Sequence, residues 1–255
     1  MRSTLTSLAL ASALALATAT GAQASSEAHI APQKWSWDGV FGAYDKAQLK
    51  RGFTVFKEIC SNCHSMRLVA YRNLQALGLT EDEVKAIATE KEVTDGPNDQ
   101  GDMFKRPAKL SDRIVPPFPN EQAARVANNG ALPPDLSLIA KARKGGPDYV
   151  YALMTGYKDA PSGFALNDGM NYNAAFPGSQ IAMPPQIQDD LVTYKDGTKA
   201  TSDQIARDVV ALLNWAAEPE LDERKSIGFK TLAFLVVFTA MLYALKRQIW
   251  SKIDH

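Results

Sequence analysis

Residues 60–64 read Cys-Ser-Asn-Cys-His, and they hold the only two cysteines in 255 residues. A thiol pair three apart has few uses: a redox-active disulfide, half of a zinc site or, with histidine next, covalent attachment of a haem. The redox reading calls for a βαβ pattern around the motif, and none is visible. A structural zinc site takes four ligands, yet His29 and His255 are the only other histidines. A plain structural disulfide leaves His64 without a role. The haem reading uses every residue. Cys60 and Cys63 add to the two vinyl groups, and the tether then holds His64 at the iron as an axial ligand. It also explains the long segments 93–120 and 157–190. These are rich in Pro, Gly, Asn and Asp, show no convincing strands, and are unusual in a compact domain unless something else organises them.

The two ends of the chain say where such a domain is expected. Residues 1–24 carry one Arg, an apolar Ala-rich run and Ala22-Gln23-Ala24, the layout of a cleaved secretory signal peptide, with a first membrane helix as the competing reading. The mature chain is then expected to begin near Ser25. Gly228–Leu245 is an apolar stretch of 18 residues, about 27 Å long as a helix against a hydrocarbon core of roughly 30 Å. Lys230 lies close enough to its end to snorkel. Tyr243 and Trp250 suit an interfacial belt, and Lys246, Arg247 and Lys252 form the flank expected to stay in the cytoplasm. The competing reading is a buried core helix. The expected division is a signal peptide at 1–24, an exported domain at 25–226, an anchor at 227–247 and a short cytoplasmic tail at 248–255. Acidic and basic side chains balance at 28 each, which argues against a nucleic-acid partner.

Within the domain, residues 45–60 place Leu49, Phe53, Phe56 and Ile59/Cys60 on one helical stripe behind Asp45 as N-cap. A second helix is expected over 201–220. Thr201 and Gln204 have capping-box spacing there, Ile205, Val209, Leu212, Leu213 and Ala216 are apolar, and Pro219 is the stop. A weaker one covers 146–156, with Pro147 near its start. The sixth iron ligand decides the chemistry, because an open position binds gases or peroxide whereas a Met sulfur closes the iron and raises its potential. Met66 is too near His64 to cross the ring. Met154 fits an apolar helix face, and Met103 lies in a polar loop. Met170 stays open. Met183 is favoured, since Pro184 and Pro185 stiffen its loop and little entropy is left to lose on binding.

The order of an N-terminal helix entering CxxCH, a late Met loop and a C-terminal helix is the layout of class I cytochromes c. The blocks KRGFTVFKEICSNCHSM, VAYRNL, DGPNDQGDMFKRPAKLSD, ARVANNGALPPDLSLIAKARKGGPDYVYALMTGY, IAMPPQ and VVALLNWAAEPE, followed by one anchor, resemble the cytochrome c1 family across essentially the whole mature chain. The resemblance implies a mainly α, class I cytochrome c-like haem domain with long irregular loops and one C-terminal transmembrane helix. It implies one haem c on Cys60 and Cys63, with His64 and Met183 as axial ligands. It places Pro133 and Pro134 against the haem on the His side, Arg143 at a haem propionate and Tyr149 nearby. Some relatives carry a further cysteine pair in their loops; this chain has none. On general grounds His64 needs its second ring nitrogen bonded, usually to a carbonyl, and Arg suits a carboxylate, although most Arg are surface charges.

The function implied is one-electron transfer from a Rieske iron–sulfur subunit to a soluble c-type cytochrome, alongside cytochrome b in the ubiquinol–cytochrome c reductase complex. No substrate bond is made at the haem itself. The expected location is a bacterial inner membrane, with the haem domain in the periplasm. A free-standing anchored monohaem shuttle is the alternative; a thiol–disulfide oxidoreductase and a five-coordinate gas-binding haem protein are further ones. Thr80–Asp102 holds eight acids and two lysines. It reads either as a solvated face or as a docking field for a basic redox partner.

Overall fold

A computed structural model describes residues 30–251. The expected signal peptide at 1–24, the mature start, His29, Lys252 and His255 lie outside the described residues. Helix α1, Lys46–Glu58, starts where Asp45 accepts hydrogen bonds from the N–H groups of Ala47 and Gln48, as its spacing predicts. It ends two residues earlier than expected, because Cys60–Asn62 tightens into a 3₁₀ turn. A second 3₁₀ segment, Tyr71–Leu77, drives Leu74 and Leu77 into the core beneath α1.

Helix α2, Glu81–Thr89, lies in the acidic run and is closed by a full capping box between Thr80 and Glu83. Strands β1 (Glu92–Asp95) and β2 (Phe104–Pro107) form an antiparallel pair where no strand was expected. No alternating apolar pattern announces them. Their ties are ionic: Arg106 bonds Asp95 across the ladder and Asp112 beyond it at 2.6 Å. Helices α3 (Glu121–Ala127) and α4 (Ile139–Ala142) are short, and α5 spans Gly146–Thr155, close to expectation. A second antiparallel ladder, of two rungs only, pairs β3 (Asn171–Tyr172) with β4 (Gln180–Ile181).

Helix α6, Ser202–Ala217, crosses α1 and also packs on α5. Thr201 caps the Gln204 N–H at 3.2 Å, but the Gln204 amide does not return the bond; it donates to Asp208 at 2.8 Å. The helix ends before Pro219, which disfavours helical backbone at Glu218. Nearly all of α6 is buried, a wider face than the expected stripe, because α1 and α5 cover different sides. Buried with it is Asp208, which receives Arg51 Nε of α1 at 2.9 Å; Arg51 also reaches Asp196 at 2.8 Å. At the crossing the backbones nearly touch, since a Cβ on Gly52 would stand 2.1 Å from the Asp208 carbonyl oxygen.

Helix α7, Leu221–Trp250, is a single helix of 30 residues. It begins six residues before the expected anchor boundary of 227 because its first turns are tied to the domain. Leu221 is buried, Arg224 pairs with Glu218 at 3.0 Å, and Lys225 Nζ donates to the carbonyls of Trp37 (2.5 Å) and Gly42 (3.0 Å). Beyond Gly228 its apolar side chains are exposed all round, which excludes the buried core helix and fits a lipid-facing span.

Gly52→Ala therefore forces the α1–α6 crossing apart. Urea unfolding of the purified protein should show a loss of roughly 1–3 kcal/mol, the usual range for an overpacked contact.

Candidate functional site

The pentapeptide closes the end of α1 with the residues that carry no chemistry. Ser61 Oγ donates to the Lys57 carbonyl at 2.7 Å and Asn62 Nδ2 to that of Glu58 at 3.0 Å, satisfying carbonyls the helix leaves unpaired. The chain then folds back, with the N–H of Cys63 and of His64 both donating to the Cys60 carbonyl, at 3.2 and 2.8 Å. Cys60 and Cys63 are not joined to each other. Cys60 packs against the core, and burial pushes its thiol up to about 12. Cys63 is exposed.

His64 Nδ1 lies 2.8 Å from the Pro134 carbonyl oxygen. A carbonyl only accepts, so the proton sits on Nδ1 and the Nε2 lone pair is left for a metal. Burial lowers the imidazolium below its ordinary value, outweighing the Pro134 bond and the charge of Asp135. The ring is thus neutral, as a ligand must be.

A clasp of backbone and short side chains fixes this geometry. The Asp135 carboxylate accepts from Ser65 Oγ (2.8 Å), Arg67 N (2.9 Å) and Ser137 N (2.9 Å). Ser137 Oγ accepts from Leu68 N at 3.0 Å, and Leu136 N donates to the Ser65 carbonyl at 2.8 Å. Burial raises the Asp135 carboxyl, but bonds from Ser137, Arg67 and Ser65 outweigh it and hold the group below its usual range. Asp135 is not among the residues that the sequence singles out. The available signal was its place two residues before Ser137, an Asx-turn spacing beside two prolines.

The Met183 loop is held by its backbone. The Met183 carbonyl accepts from Tyr157 Oη at 3.0 Å and Asn171 Nδ2 at 3.4 Å. Asn173, fully buried, fastens the β3 side to the end of α5 by donating to the Leu153 carbonyl at 2.8 Å and accepting from Ala175 N. None of these polar residues was singled out from sequence, because their partners are formed by folding. Asn171 pairs with Ile181, so Met170 and Met183 leave the same end of one ladder. Met183 is half-buried and Met170 is 37% exposed. Met103 is more exposed still, Met66 is core, and Met154 is half-buried rather than wholly in the core.

Arg143 is exposed at the end of α4, with Nη1 on the Ala142 carbonyl at 3.2 Å. Its charge reaches Tyr149, which burial raises; Tyr149 in turn acts on Tyr157, which burial pushes up to about 12. Of these, Tyr157 is the one bonded to the Met183 loop. On the His64 side, Pro133 and Cys63 line a small crevice of about 20 Å³. A larger cavity of about 450 Å³ lies on the Ser61–Asn62 side, walled by Phe53, Phe56 and Ile114. The donor set suits a haem: two cysteines not joined to each other, a neutral imidazole with an oriented Nε2, and a thioether on a tethered loop. Among the described residues there is no cluster of three or more His, Cys, Asp and Glu that could hold a bare metal ion.

The acidic run is partly employed locally. Glu83 caps α2, Glu81 pairs with Lys85 at 2.7 Å, and Asp95 binds Arg106.

Asp135→Asn should weaken the clasp by roughly 1.5–3 kcal/mol at neutral pH, the scale of hydrogen bonds to a charged acceptor. The native carboxyl is depressed, so its contribution is present above the ordinary carboxylate range and is lost as pH falls through the folded value. Denaturant unfolding of both proteins across pH should show a gap that closes only in acid.

Comparison with known proteins adds an independent line. The profile of the Cytochrome C1 family matches residues 35–253. A protein of Rhodospirillum rubrum named cytochrome c1 is 56% identical over 239 residues, covering 88% of each chain. "Cytochrome c1 1, heme protein, mitochondrial" of Arabidopsis thaliana is 51% identical over 217 residues, covering 85% of this chain and 71% of that one. The Saccharomyces cerevisiae protein of similar name is 52% identical over 225 residues, covering 88% and 71%.

Proposed function

The chain belongs to the cytochrome c1 family and is an electron carrier of the bc1 complex, and from that premise we propose that Cys60 and Cys63 would hold one haem c by thioether bonds, with His64 and Met183 as the residues that would bind its iron. The observation that carries the reading is the Pro134 carbonyl 2.8 Å from His64 Nδ1, directly after two cysteines that are not joined to each other. A bound haem would supply a one-electron change between ferric and ferrous iron.

The chain's own residues set the terms of that change. Pro134 orients the His64 ring and raises the basicity of Nε2. Tyr157 and Asn171 hold the Met183 backbone, and the soft thioether favours the reduced state. Arg143 offers its guanidinium to a propionate, with Tyr149 beside it.

The electron arrives from the Rieske iron–sulfur subunit and leaves to a soluble c-type cytochrome, with cytochrome b as the membrane neighbour. The acidic stretch Thr80–Asp102 provides a field that steers a basic partner into a short-lived encounter. The haem domain at 25–226 stands on the periplasmic side of a bacterial inner membrane, exported by residues 1–24 and anchored by 227–247, with 248–255 in the cytoplasm. The exposed apolar length of α7 and its basic end support that topology.

An optical redox titration with and without carbon monoxide tests the ligand assignment. The wild-type reduced spectrum should barely respond to the gas. Met183→Ala should become carbon monoxide-sensitive and lose potential, while Met170→Ala should match wild type. The reverse pattern would make Met170 the ligand. Tyr157→Phe should lower the potential by less than Met183→Ala does, because it loosens the loop but keeps the sulfur.

A further inference from the structure

The turn Trp35–Gly42 is rigid and carries its most apolar side chains at its tip. Asp38 Oδ2 accepts from Trp35 N at 2.8 Å, Asp38 N donates to the Trp35 carbonyl at 3.1 Å, and Ala43 N closes on Ser36 at 3.0 Å. Gly39 takes a φ of +68°, and a Cβ on Gly42 would stand 2.0 Å from the Asp38 carbonyl oxygen. A turn so constrained cannot fold its tip inward. Val40 is 68% exposed and Phe41 84%.

A lone exposed apolar residue needs no explanation, but these two adjoin the anchor. The Phe41 ring lies edge-on to that of Phe229, with centroids 6.0 Å apart. Phe229 is the second residue of the apolar stretch Gly228–Leu245, and Ile227 beside it is also exposed. Lys225 locks the turn to α7 through the carbonyls of Trp37 and Gly42, and Tyr44 N donates to Asp222 at 3.2 Å. The tip is therefore held at the level where the apolar surface of α7 begins, and Val40, Phe41, Ile227 and Phe229 extend that surface sideways. Lys230, exposed at the same level, suits an anionic headgroup.

We propose that the Val40–Phe41 tip enters the membrane interface beside the anchor, so that lipid is its partner and the haem domain rests on the bilayer at a second point. One helix alone leaves a domain free to tilt and rotate about its tether. A second, off-axis contact fixes which face of the domain points away from the membrane. The inference rests on Gly228–Leu245 being the membrane span, and the test separates the two.

Spin labels placed by Phe41→Cys, Val237→Cys and Val126→Cys, each in the full chain within the assembled complex, are read in phosphatidylcholine–phosphatidylglycerol vesicles. Protein without an added cysteine sets the background. Collision with oxygen, which partitions into lipid, is compared with collision with a water-soluble nickel chelate. The label at Val237 should meet oxygen and not nickel. The label at Val126, in α3 and 85% exposed, should meet nickel. The proposal requires position 41 to shift toward the Val237 pattern. A position 41 as open to nickel as Val126 would overturn it. So would an immobilised label shielded from both reagents, which would mean that a neighbouring subunit covers the tip. If Val237 itself meets nickel, the membrane span fails and the proposal falls with it.

Discussion

A single backbone oxygen, that of Pro134, determines what the CSNCH turn can do. By accepting from His64 Nδ1 it selects the tautomer, points the ring and leaves one lone pair facing outward. It can do so only because the proline loop is clasped to the strand of chain that follows the motif. Asp135 is the centre of that clasp: one carboxylate collects bonds from residues on both segments, some 70 positions apart in sequence. The pentapeptide supplies the reactive atoms, and a distant loop supplies their orientation.

The Met183 side follows the same logic with different parts. Nothing in the chain's local conformation fixes a thioether in space. Its backbone is therefore tied down by Tyr157 and Asn171, and the loop by the fully buried Asn173. The turn after α1 carries Cys60, Cys63 and His64, the loop that precedes α6 carries Met183, and α1 and α6 cross where only glycine fits. The Arg51–Asp208 pair beside the crossing fixes its register, and separating the partners would leave a buried charge uncompensated.

How much of this the sequence reveals depends on the range of each interaction. Helices α1, α5 and α6 are legible because stripes and caps such as Asp45 and Thr201 are local. Helix α2 carries an equally local signal in Thr80 and Glu83, but only Val84 and Ala88 turn inward, and its acids draw attention to charge instead. The β1–β2 ladder escapes notice because Arg106, not an apolar alternation, binds it. In the site, Cys60, Cys63 and His64 can be read directly, since their chemistry lies in their spacing. Choosing between Met183 and Met170 is harder from sequence, and the structure shows why: β3 and β4 bring both to one end of the same ladder. Asp135, Tyr157 and Asn171 act only through partners that folding supplies.

The central claim is covalent, and it can be weighed directly. Trypsin acting at Lys57 and Arg67 releases residues 58–67, which contain both cysteines and His64. Mass spectrometry of that peptide, after acid–acetone extraction of any loosely held pigment, should find it coloured and heavier by one haem joined at two sulfurs. A colourless peptide, lighter than the dithiol by two hydrogens because Cys60 and Cys63 are joined to each other, would contradict the account.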